Sequence, residues 1–180
     1  MPADARDRLL RVADLLDRPG ASRRVDLALP PADDLELDLA TLVGDITLDG
    51  VVESVVDGLL VRGTVSADLL LACARCLTDL QQRVAVEVVE LFTDPATAEQ
   101  SDDIEPGYEI GDGVIDLDAL LRDALVPAVP YRPLCDPDCK GLCATCGTNR
   151  NDATCDCVDS TVDARWSALE GLRLSNGDSN

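Results

Sequence analysis

The sequence predicts an α+β fold: an antiparallel sheet able to curl toward a barrel, two or three short helices, and a zinc-binding module at the C-terminal end. Three observations carry this. Between Val25 and Phe92 several stretches alternate apolar with polar residues, the period of a half-buried strand. Shorter stretches repeat apolar residues at helical spacing. Six of the eight cysteines fall between Cys135 and Cys157, a density that asks for a soft metal ion.

Taken in order, Leu9, Val12, Ala13 and Leu16 form a stripe that predicts a helix over Arg8 to Asp17, stopped by Pro19-Gly20. Val25 to Leu29 reads as a strand ended by Pro30-Pro31, and Leu35, Leu37 and Leu39 as another. Asp49-Gly50 reads as a hairpin turn between Ile46–Leu48 and Val51–Val56. Leu59, Val61, Val65, Leu69, Leu71 and Cys73 share one parity, with Arg62, Thr64, Ser66 and Asp68 on the other. This is the clearest strand, with Gly63 and Ala67 as places for a bulge or bend. A second long strand runs from about Gln81 to Phe92, so Cys73 and Cys76 lie in the turn between them. Residues 93–113 read as an acidic mobile loop. From Thr93 to Asp123 there are ten acidic residues against one Arg. Asp116 caps a helix striped by Leu117, Leu120, Leu121 and Ala124, ended by Pro127 and Pro130. A last helix is expected from Val162 to Leu172, with Trp166 on its face. The expected organisation is a sheet domain over 1–130, a cysteine-rich module with its helix over 131–172, and a disordered tail over 173–180.

Composition excludes much. The 180 residues carry a net charge of −20, a field that repels nucleic acid and favours a basic partner. Arg23, Arg24, Arg132, Lys140, Arg150 and Arg165 could form a small positive face. Residues 131–180 still net −3, so a broad RNA groove is not supported. There is no His, which removes the usual general base and every Ser-His-Asp or Cys-His arrangement. No phosphate loop or dinucleotide fingerprint occurs. No secretory signal or membrane span is expected. Trp166 and Phe92 are expected in the core rather than as platforms for bases.

Cysteine spacing carries the chemistry. Cys73-Ala-Arg-Cys76, Cys135-x3-Cys139, Cys143-x2-Cys146 and Cys155-x-Cys157 bring pairs of sulfurs to tight turns. Two partitions stay open. Eight cysteines can form two four-thiolate sites, with Cys73 and Cys76 borrowing two sulfurs from the C-terminal segment. Alternatively four of the C-terminal cysteines form one site and the rest stay free. At least one zinc wholly within 135–157 is preferred, and Cys143, Cys146, Cys155 and Cys157 alone could complete it. An iron–sulfur cluster fits less well, since the spacings match neither ferredoxin pattern. A redox role for Cys73 and Cys76 is disfavoured, because the pair sits at a strand end with no upstream aromatic. Arg75 between them could stabilise thiolates or point outward to a partner.

The order of motifs resembles the YceD family, described as large ribosomal RNA subunit accumulation proteins, in its actinobacterial-type form with a cysteine-rich C-terminus. The motifs are Leu15-Leu-Asp-Arg-Pro-Gly20, Gly58-Leu-Leu-Val-Arg-Gly-Thr64, Cys73-Ala-Arg-Cys76-Leu77, Asp116-Leu with Leu121-Arg-Asp-Ala124, Pro133-Leu-Cys135, Lys140-Gly-Leu-Cys143-x-x-Cys146-Gly147, and Asp163-Ala-Arg-Trp-Ser-Ala-Leu169. Asn149-Arg-Asn151 departs from the family's usual Leu-Asn. The resemblance implies a bacterial, cytoplasmic, non-enzymatic factor for ribosome assembly. Its partner would be ribosomal RNA or a basic large-subunit ribosomal protein, with no membrane and no small-molecule substrate. One or two structural zinc ions would sit at the cysteines named above. The alternatives are a thiol-based redox or metal-responsive protein, and a structural zinc domain of an unrelated complex.

Overall fold

A computed structural model describes residues 8–32, 34–95, 107–157 and Arg165. The chain forms β1 (Leu9–Arg11), β2 (Ser22–Leu29), β3 (Ala40–Val55), β4 (Gly58–Ala72), β5 (Asp79–Thr93), β6 (Tyr108–Gly111), β7 (Val114–Asp116) and α1 (Asp118–Leu125). The strands make one curled sheet in the order β1-β7-β6-β5-β4-β3-β2. It is mixed rather than purely antiparallel, because β6 runs parallel to β5. A parallel neighbour needs a long crossover, and the acidic stretch after Thr93 supplies it.

The core follows from strand parity. In β4, Leu59, Val61, Val65, Ala67, Leu69 and Leu71 are buried, the alternation visible in the sequence. Val84, Val88 and Phe92 meet them from β5, and Leu120, Leu121, Ala124 and Leu125 of α1 join the same cluster. Each such Val, Leu or Phe side chain, fully buried, contributes roughly 1.5–3 kcal/mol. Phe92 stacks on Tyr108 with centroids 5.0 Å apart.

Several expectations are corrected. Asp49-Gly50 is not a turn. Gly50 lies within β3, directly opposite Gly63 of β4. A Cβ on either glycine would run into the other strand's backbone, at Arg62 or at Asp49, so close strand approach explains both. The true turn is Val56-Asp57, between paired Val55 and Gly58. The irregularity expected at Gly63 or Ala67 falls at Ala67, with the extra residues on β3, where the register shifts between Val43 and Thr47. Val43 pairs with Asp68 and Thr47 with Ser66, so four steps on β3 match two on β4. The surplus is even, and Ile46, Leu48 and Val52 stay on the inner face.

Leu9–Arg11 is a strand rather than the start of a helix. Its backbone pairs with β7, and the turns that follow still bury Val12 and Leu15. Asp17 adopts φ 57° just before Pro19, leaving too few residues for a helix to propagate. Leu35, Leu37 and Leu39 form no strand. The expected loop over 93–113 hides a hairpin. Asp112 and Gly113 have φ 51° and 72°, the left-handed pair that a two-residue turn between strands needs. Among the described residues one α-helix, α1, has its full range described. The expected helix over 162–172 lies outside the described residues, as does Trp166.

Side chains link the edge strands. Arg23 on β2 pairs with Asp14 at 3.0 Å and donates to the Arg11 carbonyl. Arg8, which is buried, pairs with Asp118 at 2.6 Å and donates to the Pro30 carbonyl. Among the described residues, no helix is long and apolar enough to cross a membrane.

Candidate metal centre

All eight cysteines are free thiols, and the fold gathers them into two tetrads. Cys73, Cys76, Cys135 and Cys139 form the proximal tetrad, at the β4–β5 turn. Cys143, Cys146, Cys155 and Cys157 form the distal one. Within each set the sulfurs lie within 4.8 Å of one another. In the proximal tetrad Sγ of Cys73 is 3.8 Å from that of Cys139, and Sγ of Cys76 is 3.5 Å from that of Cys135. A tetrahedral ion with metal–sulfur bonds of about 2.3 Å sets its sulfurs about 3.8 Å apart. The donor set therefore fits a four-thiolate ion.

Each tetrad is built on the same turn. Cys73-Ala-Arg-Cys76-Leu-Thr78 and Cys143-Ala-Thr-Cys146-Gly-Thr148 share the form Cys-Ala-x-Cys-x-Thr. In the first, the amide of Cys73 donates to the Thr78 carbonyl at 2.9 Å and that of Leu77 to the Cys73 carbonyl at 2.9 Å. In the second, Cys143 donates to Thr148 at 2.8 Å and Gly147 to Cys143 at 2.8 Å. The fifth residue is left-handed in both, Leu77 at φ 59° and Gly147 at φ 74°. The threonine hydroxyl meets the second sulfur of each turn, Thr78 at 3.3 Å from Cys76 and Thr148 at 3.1 Å from Cys146. Thr78 and Thr148 were not singled out by spacing arguments. The signal that finds them is the six-residue recurrence, too short to register as a domain-sized repeat.

Electrostatics follow the same duplication. Backbone amides, that of Cys135 foremost, bring the Cys73 thiol down to about 6 against the opposing effect of burial. The amides of Cys146 and Thr145 bring Cys143 to about 6. Cys76 and Cys146 are lowered chiefly by their threonine hydroxyls. The late-arriving sulfurs go the other way. Cys135 rises to about 12 beside the Cys76 sulfur, and Cys157 to about 12 beside that of Cys146. Thiolates this crowded cannot all ionise alone, and a divalent ion bound among them would displace the remaining protons.

The tetrads differ in surroundings. Cys73, Cys76 and Cys139 are buried and pack with Leu80, Leu134 and Leu142. In the distal set only Cys143 is buried. Arg75 is exposed, and its backbone amide lies 3.5 Å from Sγ of Cys73. Its guanidinium donates to the carbonyls of Cys139 at 2.8 Å and Pro137 at 3.3 Å, tying the Cys135–Cys139 turn to the sheet. Of the basic candidates, Arg23 and Arg24 are paired with Asp14 and Asp49. Phe92 is fully buried, a core residue rather than a platform.

A curled mixed sheet carrying two four-cysteine clusters defines a β-rich protein equipped to hold metal. Within that class, the chain belongs to the YceD family. Residues 61–173 match the family described as Large ribosomal RNA subunit accumulation protein YceD. An uncharacterized protein of Mycobacterium tuberculosis is 42% identical over 140 residues, 76% of this chain and 67% of its own length. An uncharacterized protein of Mycobacterium leprae is 38% identical, over 73% of this chain and 62% of its own. The maize protein called Large ribosomal RNA subunit accumulation protein YCED homolog 1, chloroplastic, is 27% identical over 92% of this chain and 62% of its own. No solved structure matches the chain.

Proposed function

We propose that this protein promotes accumulation of the large-subunit ribosomal RNA during ribosome assembly, as a non-enzymatic factor that acts by binding. Membership of the YceD family, over residues 61–173, is the observation that carries the reading. The charge of −20 supports a basic large-subunit ribosomal protein as the direct contact more than bare RNA, since phosphates would be repelled. The ion pairing of Arg23 and Arg24 points the same way. Both tetrads hold zinc, the commonest ion for four thiolates at tetrahedral spacing. The ions are structural. With all four positions taken by sulfur, no coordination site is left open for substrate.

Two measurements test this. Elemental analysis of purified protein is expected to give two zinc equivalents per chain. Protein without metal whose thiols cycle through a disulfide would instead favour a redox protein. Depletion in the native bacterium is expected to lower large-subunit RNA selectively, with the protein co-sedimenting with large-subunit precursors. Equal loss of both subunits' RNAs, or absence from the precursors, overturns the ribosomal reading.

A further inference from the structure

The two tetrads are wired to each other through the loop that the distal one closes. Residues 147–154 span from Cys146 to Cys155, so the distal sulfurs define both ends of this loop. Asn151 sits in its middle. Its Nδ2 donates to Sγ of Cys139, a proximal sulfur, at 3.2 Å. Its Oδ1 accepts from the amide of Lys140 at 2.8 Å, which fixes the amide's orientation against Cys139. Two backbone bonds hold the same seam. Arg150 donates to the Gly141 carbonyl at 2.9 Å, and Leu142 donates to the Arg75 carbonyl at 3.0 Å. Gly141, at φ 73°, passes so close that a Cβ would stand 3.0 Å from the Arg75 carbonyl oxygen.

We propose that the distal tetrad governs how firmly the proximal tetrad holds its metal, with Asn151 as the positioning residue that carries the coupling. The inference rests on the reading that both tetrads bind a metal ion. An N–H aimed at a thiolate offsets its charge and secures its orientation, and outer partners of this kind alter metal affinity by roughly 10–100-fold. Within the loop the same Nδ2 also donates to Asn149 Oδ1 at 2.8 Å, and metal at Cys143, Cys146, Cys155 and Cys157 would fix both ends of the loop that carries this donor. The coupling is reciprocal in free energy. It is read most clearly from distal to proximal, because the proximal turn is also held by the sheet.

The test uses the full-length zinc-loaded protein. A fixed chelator competes for the ion, and cysteine alkylation read by mass spectrometry reports each tetrad separately. Asn151→Asp keeps an acceptor for Lys140 but removes the donor to Cys139, and with it the bond to Asn149 Oδ1 inside the loop. It is expected to expose Cys73, Cys76, Cys135 and Cys139 about 10-fold faster, with distal protection little changed. If Asn151 merely stiffened its own loop, the distal cysteines would be exposed first or equally, and that result overturns the proposal. Cys155→Ser, which opens the loop, is expected to accelerate proximal exposure about as much. Proximal protection at the wild-type level in either variant also overturns it. Wild-type protein that binds no zinc sinks the metal reading and the coupling together. Two tightly held ions that respond independently sink the coupling alone.

Discussion

The proximal and distal tetrads use one six-residue turn in two settings. The proximal turn is spliced between two fifteen-residue strands, and three of its tetrad's sulfurs are buried. The distal turn leans on the proximal one and leaves three of its four sulfurs half-buried or exposed. The same local chemistry thus serves two purposes. One site fastens the C-terminal segment to the sheet, and the other closes a loop upon the first. The backbone shows the difference as well. The sheet-borne turn tolerates Leu77 in a left-handed conformation, which costs a non-glycine residue roughly 1–2 kcal/mol. The outlying turn uses Gly147 and avoids that cost.

The comparison breaks most visibly at the cysteines. Cys139→Ser removes a buried member of the proximal tetrad, whose sulfur meets Cys73 from the C-terminal segment. It is expected to lose one zinc equivalent and lower Tm on the order of 10 °C, measured by elemental analysis and calorimetry. Cys157→Ser should lower Tm by much less. Next comes the sheet itself. Leu71 is 2% exposed, two residues before Cys73 in the strand direction. Leu71→Ala should cost about 2–5 kcal/mol by urea unfolding and loosen proximal thiols ahead of distal ones. A distal-first response would show that the sheet does not anchor the proximal site.

Acid tests both sites with one sign. Cys73 and Cys143, brought to about 6 without metal, ionise readily at neutral pH, and metal lowers them further. Protons compete for the thiolates as pH falls, so zinc bound there is expected to be retained at neutral pH and released on acidification. The exposed distal site should empty at the higher pH in a titration followed by a zinc-sensitive dye. Smaller still, Thr78→Val and Thr148→Val each delete one hydroxyl contact to sulfur. Each should weaken its own tetrad about fivefold. The smallest effect is a gain. Leu77→Gly copies the distal turn and relieves the left-handed leucine, raising Tm by roughly 1–3 °C. An unchanged or lower Tm would mean that Leu77 contributes packing the turn needs.

The sequence was most readable where one face of a strand is fully buried. The odd-numbered face of β4 shows at once, because Leu59 through Leu71 must face one core. Hairpins were harder. Three Asp-Gly pairs occur, at 49–50, 57–58 and 112–113, and local preference alone ranks them equally. The first is held straight by strands on both sides, the second closes the β3–β4 turn and the third is the β6–β7 turn. Only the tertiary partners of Gly50 distinguish them. The helical stripe at Leu9 to Leu16 misled for a related reason, since edge pairing with β7 outcompetes a short helix. At the metal centre, the division into a set containing Cys73 and Cys76 and a set wholly within 143–157 was one of two partitions open from spacing. The folding of Cys135 and Cys139 back onto the β4–β5 turn depends on contacts across 66 positions of chain. No pattern local to either segment announces it.

That separation has a consequence for the order in which the protein is finished. The distal tetrad's sulfurs emerge within one short stretch, whereas Cys73 must wait 66 residues for Cys139. At ~5–20 residues per second, the gap lasts roughly 3–13 s. During that interval the nascent sheet carries two thiols at its tip with no partners. They stay open to oxidation until synthesis delivers the other half of the site.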